Sequence, residues 1–335
     1  MLLVLLLGCS TEQPNDASST DPTATPPKNT TKLVVYSGRG ESMVADLFEM
    51  AEDDLGFEID VQYGGTSDMV TKMLTEGEQS PADIIFVQSS GYLGALANQD
   101  RLEVLEDDLL NSVESVFNDD GKKWLGISGR LRVLIYDSSK IQESDMPQSL
   151  KELSDPKWKD RIGWAPTNGS FQAHVSALRH LWGEEETKSW LKGVQTNTPK
   201  LYPKNSPQVK AVDEGKLEIG WVNHYYLHQL GKEETSAKNY SFPMQDGGNI
   251  MMLAGMGIRK GSSHIKESKQ LLQWMVSEKA QQFFANRNFE YPTRPGIALH
   301  PKVPKIATEN LAVVQQSYLT DLGPTRLLIQ ELQLQ

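Results

Sequence analysis

Between residues 33 and 87 the chain alternates short apolar runs with amphipathic stretches, and this alternation constrains its fold more than any other feature. Leu33, Val34, Val35 and Tyr36 form an apolar run bounded by Ser37 and Gly38, the pattern of a buried strand. Met43, Leu47 and Met50 follow at i, i+4 and i+7, which places them on one face of a helix. Phe57, Ile59, Val61 and Tyr63 alternate with other residues and predict a second strand. Residues 69–74 predict a second helix and 83–87 a third strand. Strand, helix, strand, helix, strand in that order implies a parallel sheet with helices on its faces.

Further strands are expected at 131–136, 217–222 and 249–258. Residues 161–164 lead through 166–170 into a helix expected from about 171 to 182. Other helical stretches are expected at 189–194, 208–214, 227–230, 265–276, 278–286, 306–318 and 325–334. No internal repeat is visible. Two α/β lobes with a cleft between them fit this order, because ligands of open α/β sheets bind beyond the carboxyl ends of the strands.

Composition narrows the function classes. With 335 residues, 38% of them hydrophobic, the chain can build two cores. Asp+Glu number 44 against 33 Lys+Arg, a net charge of −11, so the basic footprint of a nucleic-acid binder is missing. Cys9 is the single cysteine, which excludes an intramolecular disulfide and a cysteine-built zinc site. The preceding apolar run is too short to span a bilayer, which takes about 20 residues as a helix. It reads as the apolar part of a secretory signal without its basic start, so either the signal is abbreviated or translation begins upstream. Leu6, Leu7, Gly8 and Cys9 resemble a bacterial lipoprotein cleavage box, which makes Cys9 a candidate lipidation site. Residues 10–31 contain no Leu, Ile, Val, Phe, Met, Trp or Tyr. Such a stretch buries too little apolar surface to offset its ordering entropy and is expected to be a disordered tether.

Four segments carry candidate chemistry. Asn223, His224, Tyr225 and Tyr226 follow the strand at 217–222. Consecutive strand residues point to opposite faces, so adjacent tyrosines share a ligand only at a strand end or a helix start. A phenol, with a pKa near 10, is a poor ligand while protonated, but a trivalent cation such as ferric iron stabilises the phenolate. Two aromatic rings packing a lobe edge is the plain alternative. Residues 166–170 open a helix through Gly169, a ready anion site or simple N-capping by Asn168 or Ser170. Arg130, ahead of the strand at 131–136, can clamp a small anion bidentately or stay solvated, and Arg132 faces the same side if the strand has begun. Tyr36, Arg39 and Glu41 cluster at a strand–turn–helix start. Among the six histidines, His224 and His228 have a spacing that can bind zinc, though no third ligand stands at a suggestive distance. The phosphate-loop, nucleophile-elbow and HExxH patterns are absent.

Taken together, the runs VYSGRGES (35–42), SPADIIFVQ (80–88), SGRLRVLIYD (128–137), PKWKDRIGWAPTNGSFQ (156–172), YPKNSPQVKAVDEGKLEIGWVNHYY (202–226) and EYP (290–292) resemble the bacterial periplasmic ferric-ion-binding proteins. These are the transferrin-like substrate-binding components of ABC iron importers. The match runs in order over nearly all of residues 32–335.

The resemblance implies a two-lobed α/β binding protein of the type II-like periplasmic class, each lobe a mixed or parallel sheet flanked by helices. Its expected organisation is a signal and lipobox at 1–9 and a tether at 10–31. An N-lobe then comprises 32–130 and about 252–302, and a C-lobe 131–251 and about 303–335. It implies Fe(III) bound by Tyr225 and Tyr226, with Arg130, Asn168, Gly169 and Ser170 holding a synergistic carbonate or phosphate. Asn205 and Asn223 line the cleft. Family members that place a histidine and a glutamate in the first lobe have them where this chain has Gly40 and Gln88, so that half-site is absent and Gln88 falls in the outer shell. Others with the YSGRG turn look as though they use a third tyrosine, which makes Tyr36 the expected third ligand and Arg39 a further anion holder. Phe171 stands where another member type has its extra tyrosine, and Tyr92 and Glu41 are fallback ligands. The resemblance further implies an exported, lipid-anchored, monomeric receptor that passes iron to an ABC permease and is not an enzyme. Rival readings are a receptor for an organic or phosphorylated anion, and a metal-assisted phosphoester hydrolase.

Overall fold

The computed structural model describes residues 31–312 and 314–334. The signal-like run with Cys9, and residues 10–30 of the expected tether, lie outside the described residues.

β1 (Lys32–Ser37), α1 (Glu41–Leu55), β2 (Glu58–Tyr63), α2 (Thr66–Glu76), β3 (Ile84–Val87) and α3 (Gly91–Asn98) form the expected βαβαβ unit. β1 pairs in parallel with both β2 and β3. A single turn, α4 (Asp107–Leu110), leads to β4 (Leu125–Asp137). The second half of the alternation follows as β5 (Ile162–Trp164), α5 (Gly169–Trp182), α6 (Glu184–Thr196), β6 (Lys200–Leu201), α7 (Asn205–Asp213) and β7 (Ile219–Asn223). A 3₁₀ turn at His224–Leu230 then precedes β8 (Ala237–Tyr240) and β9 (Met251–Ile258). The chain finishes with α8 (Ile265–Met275), α9 (Glu278–Arg287), β10 (Tyr291–Pro292) and α10 (Leu322–Glu331).

The strand order is β2-β1-β3-β9-β4-β7-β5-β6, with β8 and β10 also paired to β4. β4 joins the two lobes. Residues Leu125 to Leu131 pair with β9, whereas Arg132 to Asp137 pair with β7 and β8. All thirteen β4 residues are buried, as expected of a strand covered on both faces. One core packs Val35, Leu47, Phe86, Met256 and Phe284; the other packs Leu134, Trp164, Phe171, Trp190 and Trp221. A third cluster, with Tyr36, Leu131, Val222 and Tyr291, bridges them. Each such fully buried aliphatic or aromatic side chain contributes roughly 1.5–3 kcal/mol.

Three expectations are corrected. The strand expected at 131–136 begins at Leu125, so Arg130 lies inside β4 rather than ahead of a strand. The helix expected at 189–194 starts at Glu184, where Glu184, Glu185 and Glu186 suit the positive helix end. Among the described residues of 306–318 no α-helix forms; 3₁₀ turns occupy Thr308–Asn310 and Gln316–Thr320. Apart from those short turns, backbone groups there bond across the molecule. Asn249 donates to the Asn310 carbonyl, Gln245 to the Leu311 carbonyl, and the Ala312 N–H to the Asn249 carbonyl. The turn at Gln316–Thr320 wedges between α3 and α5. A Cβ on Gly91 would sit 2.3 Å from the Gln316 carbonyl oxygen, so this approach requires glycine.

Candidate metal centre

The tyrosine pair sits where β7 ends, on the first turn of the 3₁₀ segment. The rings of Tyr225 and Tyr226 lie 4.7 Å apart, tilted by 33°. Tyr225 is buried and Tyr226 half-buried. Asn223 orients the first phenol: its Nδ2 donates to the Tyr225 hydroxyl at 3.2 Å and to Ser170 Oγ at 3.3 Å. Burial, reinforced by the neighbouring phenol of Tyr226, pushes the Tyr225 hydroxyl well above its ordinary range, against the opposing pull of Arg130 and the Asn223 bond.

His224 bolts this turn in place. Its Nδ1 accepts from the Leu131 N–H at 3.1 Å and its Nε2 donates to the Phe289 carbonyl at 2.6 Å. Both ring nitrogens are therefore used by the neutral imidazole, and burial lowers its pKa to about 4. A zinc site built on His224 and His228 is incompatible with that bonding. Among the described residues no three His, Cys, Asp or Glu side chains gather into a metal cage. Phenols are the oxygen donors this turn offers.

Two buried guanidiniums act on the pair, and a third, that of Arg39, neighbours Arg130. Arg130 and Arg132 lie two apart on β4 and both interact electrostatically with Tyr225 and Tyr226. Arg130 donates to the Gln88 carbonyl through Nη1, while its Nε is buried without a partner. Arg132 donates to Trp221 O at 2.7 Å and to Asn205 and Asn223 at 3.2 and 3.3 Å. Burial lowers Arg132 to about 9, and the phenols of Tyr226 and Tyr225 oppose that shift. Arg39, fully buried, donates through Nη2 to both carboxylate oxygens of Glu290 at 3.0 Å, and Ser128 Oγ donates to the same carboxylate at 2.8 Å. The Nε and Nη1 of Arg39 remain buried and unpartnered. Arg39 and Arg130 thus share one carboxylate while Arg132 has none, an excess of positive charge suited to phenolates and a small anion.

The expected site residues divide. Tyr225, Tyr226, Arg39, Arg130, Asn205, Asn223 and Ser170 join one connected network. Tyr36 does not: it is fully buried, and its hydroxyl donates to Glu76 on α2 at 2.9 Å. The cause is strand alternation, which turns Tyr36 into the cluster with Val70 and Met73, while Leu33 and Val35 face the other core. Asn168 caps α5, its Oδ1 accepting from the Ser170 and Phe171 N–H groups. Those two donors are therefore not free for a ligand, which weakens an anion site built on this helix start alone. A Cβ on Gly169 would meet nothing within 4 Å, so space lies open in front of that turn. Gln88 enters through its backbone carbonyl rather than its side chain. Glu41 is exposed on the first turn of α1, and Tyr92 is half-buried at the start of α3. Glu290 and Ser128 also belong to the site and lie inside the EYP and SGRLRVLIYD runs; a buried Arg39 in need of a carboxylate is the signal that finds them.

Comparison with known proteins agrees with this architecture. Residues 79–319 match the family described as bacterial extracellular solute-binding protein. The Fe(3+)-binding periplasmic protein of Serratia marcescens is 31% identical over 276 residues, 81% of each chain. The major ferric iron-binding protein of Neisseria meningitidis is 30% identical over 275 residues, 79% of this chain and 82% of that one. The crystal structure of iron-bound HitA from Pseudomonas aeruginosa superposes with a TM-score of 0.81 at 31% identity, over 90% of this chain and 99% of that one. The chain therefore belongs to the bacterial extracellular solute-binding protein family, alongside relatives named for the ferric ion they bind.

Proposed function

We propose that this chain is an extracytoplasmic receptor that captures Fe(III) together with a small anion between its lobes and delivers it to an ABC importer. The observation that carries this reading is the Tyr225–Tyr226 pair at the end of β7, facing buried guanidiniums in excess of carboxylates. The two phenolates are ligands from the second lobe. Arg130 and the unpartnered edge of Arg39 hold a synergistic anion, carbonate or phosphate, which fills further coordination positions. Tyr36 is not a ligand in this reading; Glu41 and Tyr92 are the first-lobe oxygen donors left to complete the shell.

The lobes comprise 32–130 with about 252–302, and 131–251 with about 303–335, hinged where β4 changes partners between Leu131 and Arg132. Closure around the ion excludes water and strengthens the phenolate–metal bonds. The receptor acts as a monomer, catalyses no reaction, and is tethered outside the cell through lipidated Cys9 and residues 10–31.

Tyrosinate–iron complexes absorb visible light, so purified protein given ferric iron should turn orange to red. Tyr225→Phe with Tyr226→Phe should abolish the colour. Colour that survives the double substitution overturns the ligand assignment.

A further inference from the structure

Behind the tyrosine turn lies a cavity of about 430 Å³ that the iron-binding reading leaves without a role. Leu227, His228 and Phe289 form its apolar side, and Lys232, Glu233, Thr235 and Lys302 contribute polar groups, two cationic and one anionic. The His228 ring stacks on Phe289 with centroids 4.6 Å apart and planes 25° apart. His228 Nε2 is buried with no hydrogen-bond partner. Lys232 is neutralised by Asp213 at 2.6 Å, whereas Lys302 has no carboxylate partner among the described residues. A flat apolar wall and an ammonium without an ion pair border one space of ordinary ligand-pocket size, where Lys232 and Lys302 outnumber the one lining carboxylate, Glu233.

A metal ion does not suit this place. His300 Nδ1 accepts from the Lys302 N–H, so neutral His300 carries its proton on Nε2 and has no lone pair left to offer. An aromatic carboxylate does suit it: the ring lies along Phe289 and His228, and the carboxylate meets Lys302 and a hydrogen-bond donor.

We propose that this cavity is a second binding site, for a small aromatic carboxylate, and that its occupancy stiffens the metal centre through Phe289. Phe289 is held in the left-handed region, at φ 57, and its carbonyl accepts a hydrogen bond from His224 Nε2. The next residue, Glu290, carries the carboxylate that fixes Arg39. A ligand that wedges Phe289 therefore restrains both the tyrosine turn and Arg39.

The binding half of this proposal stands independently of iron; the coupling half rests on the ferric reading above. Benzoate titrated calorimetrically into the metal-free chain should bind saturably, below about 1 mM. Lys302→Met, on an exposed residue outside the metal centre, should weaken it about tenfold, and cyclohexanecarboxylate should bind more weakly than benzoate. Absence of benzoate binding, or equal binding to Lys302→Met, overturns the site. On iron-loaded protein, benzoate should slow iron loss to a competing chelator at least about threefold in wild type and not in Lys302→Met; an unchanged rate overturns the coupling. Protein that binds benzoate but never takes up iron refutes the ferric reading and leaves the cavity assignment standing.

Discussion

Arg39 and Glu290, 251 positions apart in the chain, form an ion pair in which both side chains are almost completely excluded from solvent. Glu290 also accepts from Ser128 on β4, so one carboxylate ties the turn after β1 to the central strand. A buried pair is costly to break, because the partner left behind is an uncompensated charge. Glu290→Gln should therefore destabilise the metal-free protein by roughly 3–5 kcal/mol. Urea denaturation measures this, and a loss below about 1 kcal/mol would mean the pair is solvated. Iron affinity should fall as well, since Arg39 loses its fixed orientation.

Tyr36→Phe separates a structural tyrosine from a ligand. The hydroxyl of Tyr36 donates to Glu76, which also accepts from Ser80 Oγ at 2.7 Å. Removing it leaves that carboxylate with the serine and costs about 1–2 kcal/mol. The colour of the ferric complex should be unchanged. A bleached or shifted spectrum would return Tyr36 to the coordination shell.

Iron uptake should release protons. A phenol ordinarily titrates near 10, and burial pushes Tyr225 higher still. Ferric iron must displace those protons to bind phenolates. With two phenols ionised, a pH-stat near neutrality should record about two protons released per ion from the tyrosines. Affinity must then fall as pH drops, by about tenfold per phenol for each pH unit. Equal affinity at neutral and mildly acidic pH would rule out phenolate ligation.

How much of this was legible in the residues follows from the range of each interaction. The βαβαβ unit is written in local periodicity, and Tyr225–Tyr226 in an apolar strand run that visibly stops at Val222. The YSGRG motif fixes Tyr36 near the first strand's end but not which face of the sheet its ring takes. Its partner Glu76 lies 40 residues away on a helix face. Glu290 could not be matched to Arg39 by any spacing rule, since their meeting depends on the chain returning through β9 and β10. The apolar residues at 306–318 resemble a helix, but their backbone groups bond to residues 245–249, a tertiary choice that overrides propensity.

Acid should loosen the fold through His224 before the carboxylates protonate. Its ring is neutral because both nitrogens are engaged and burial lowers its pKa to about 4. In the unfolded chain it titrates near 6.5. Between those values the unfolded state holds a proton that the folded state lacks, so stability drops as pH falls through that window. Above pH 6.5 the contribution is flat. A shift of that size corresponds to about 3 kcal/mol lost by pH 4. Buried His174, pushed down to about 3, and partly buried His228, pushed to about 4, act with the same sign. Urea midpoints at pH 7.5, 5.5 and 4.5 should therefore decline in wild type. His224→Gln should start lower at pH 7.5, because the Leu131 N–H and the Phe289 carbonyl lose their shared partner, and should then decline less steeply. An identical slope in the two proteins would assign the acid sensitivity to other groups.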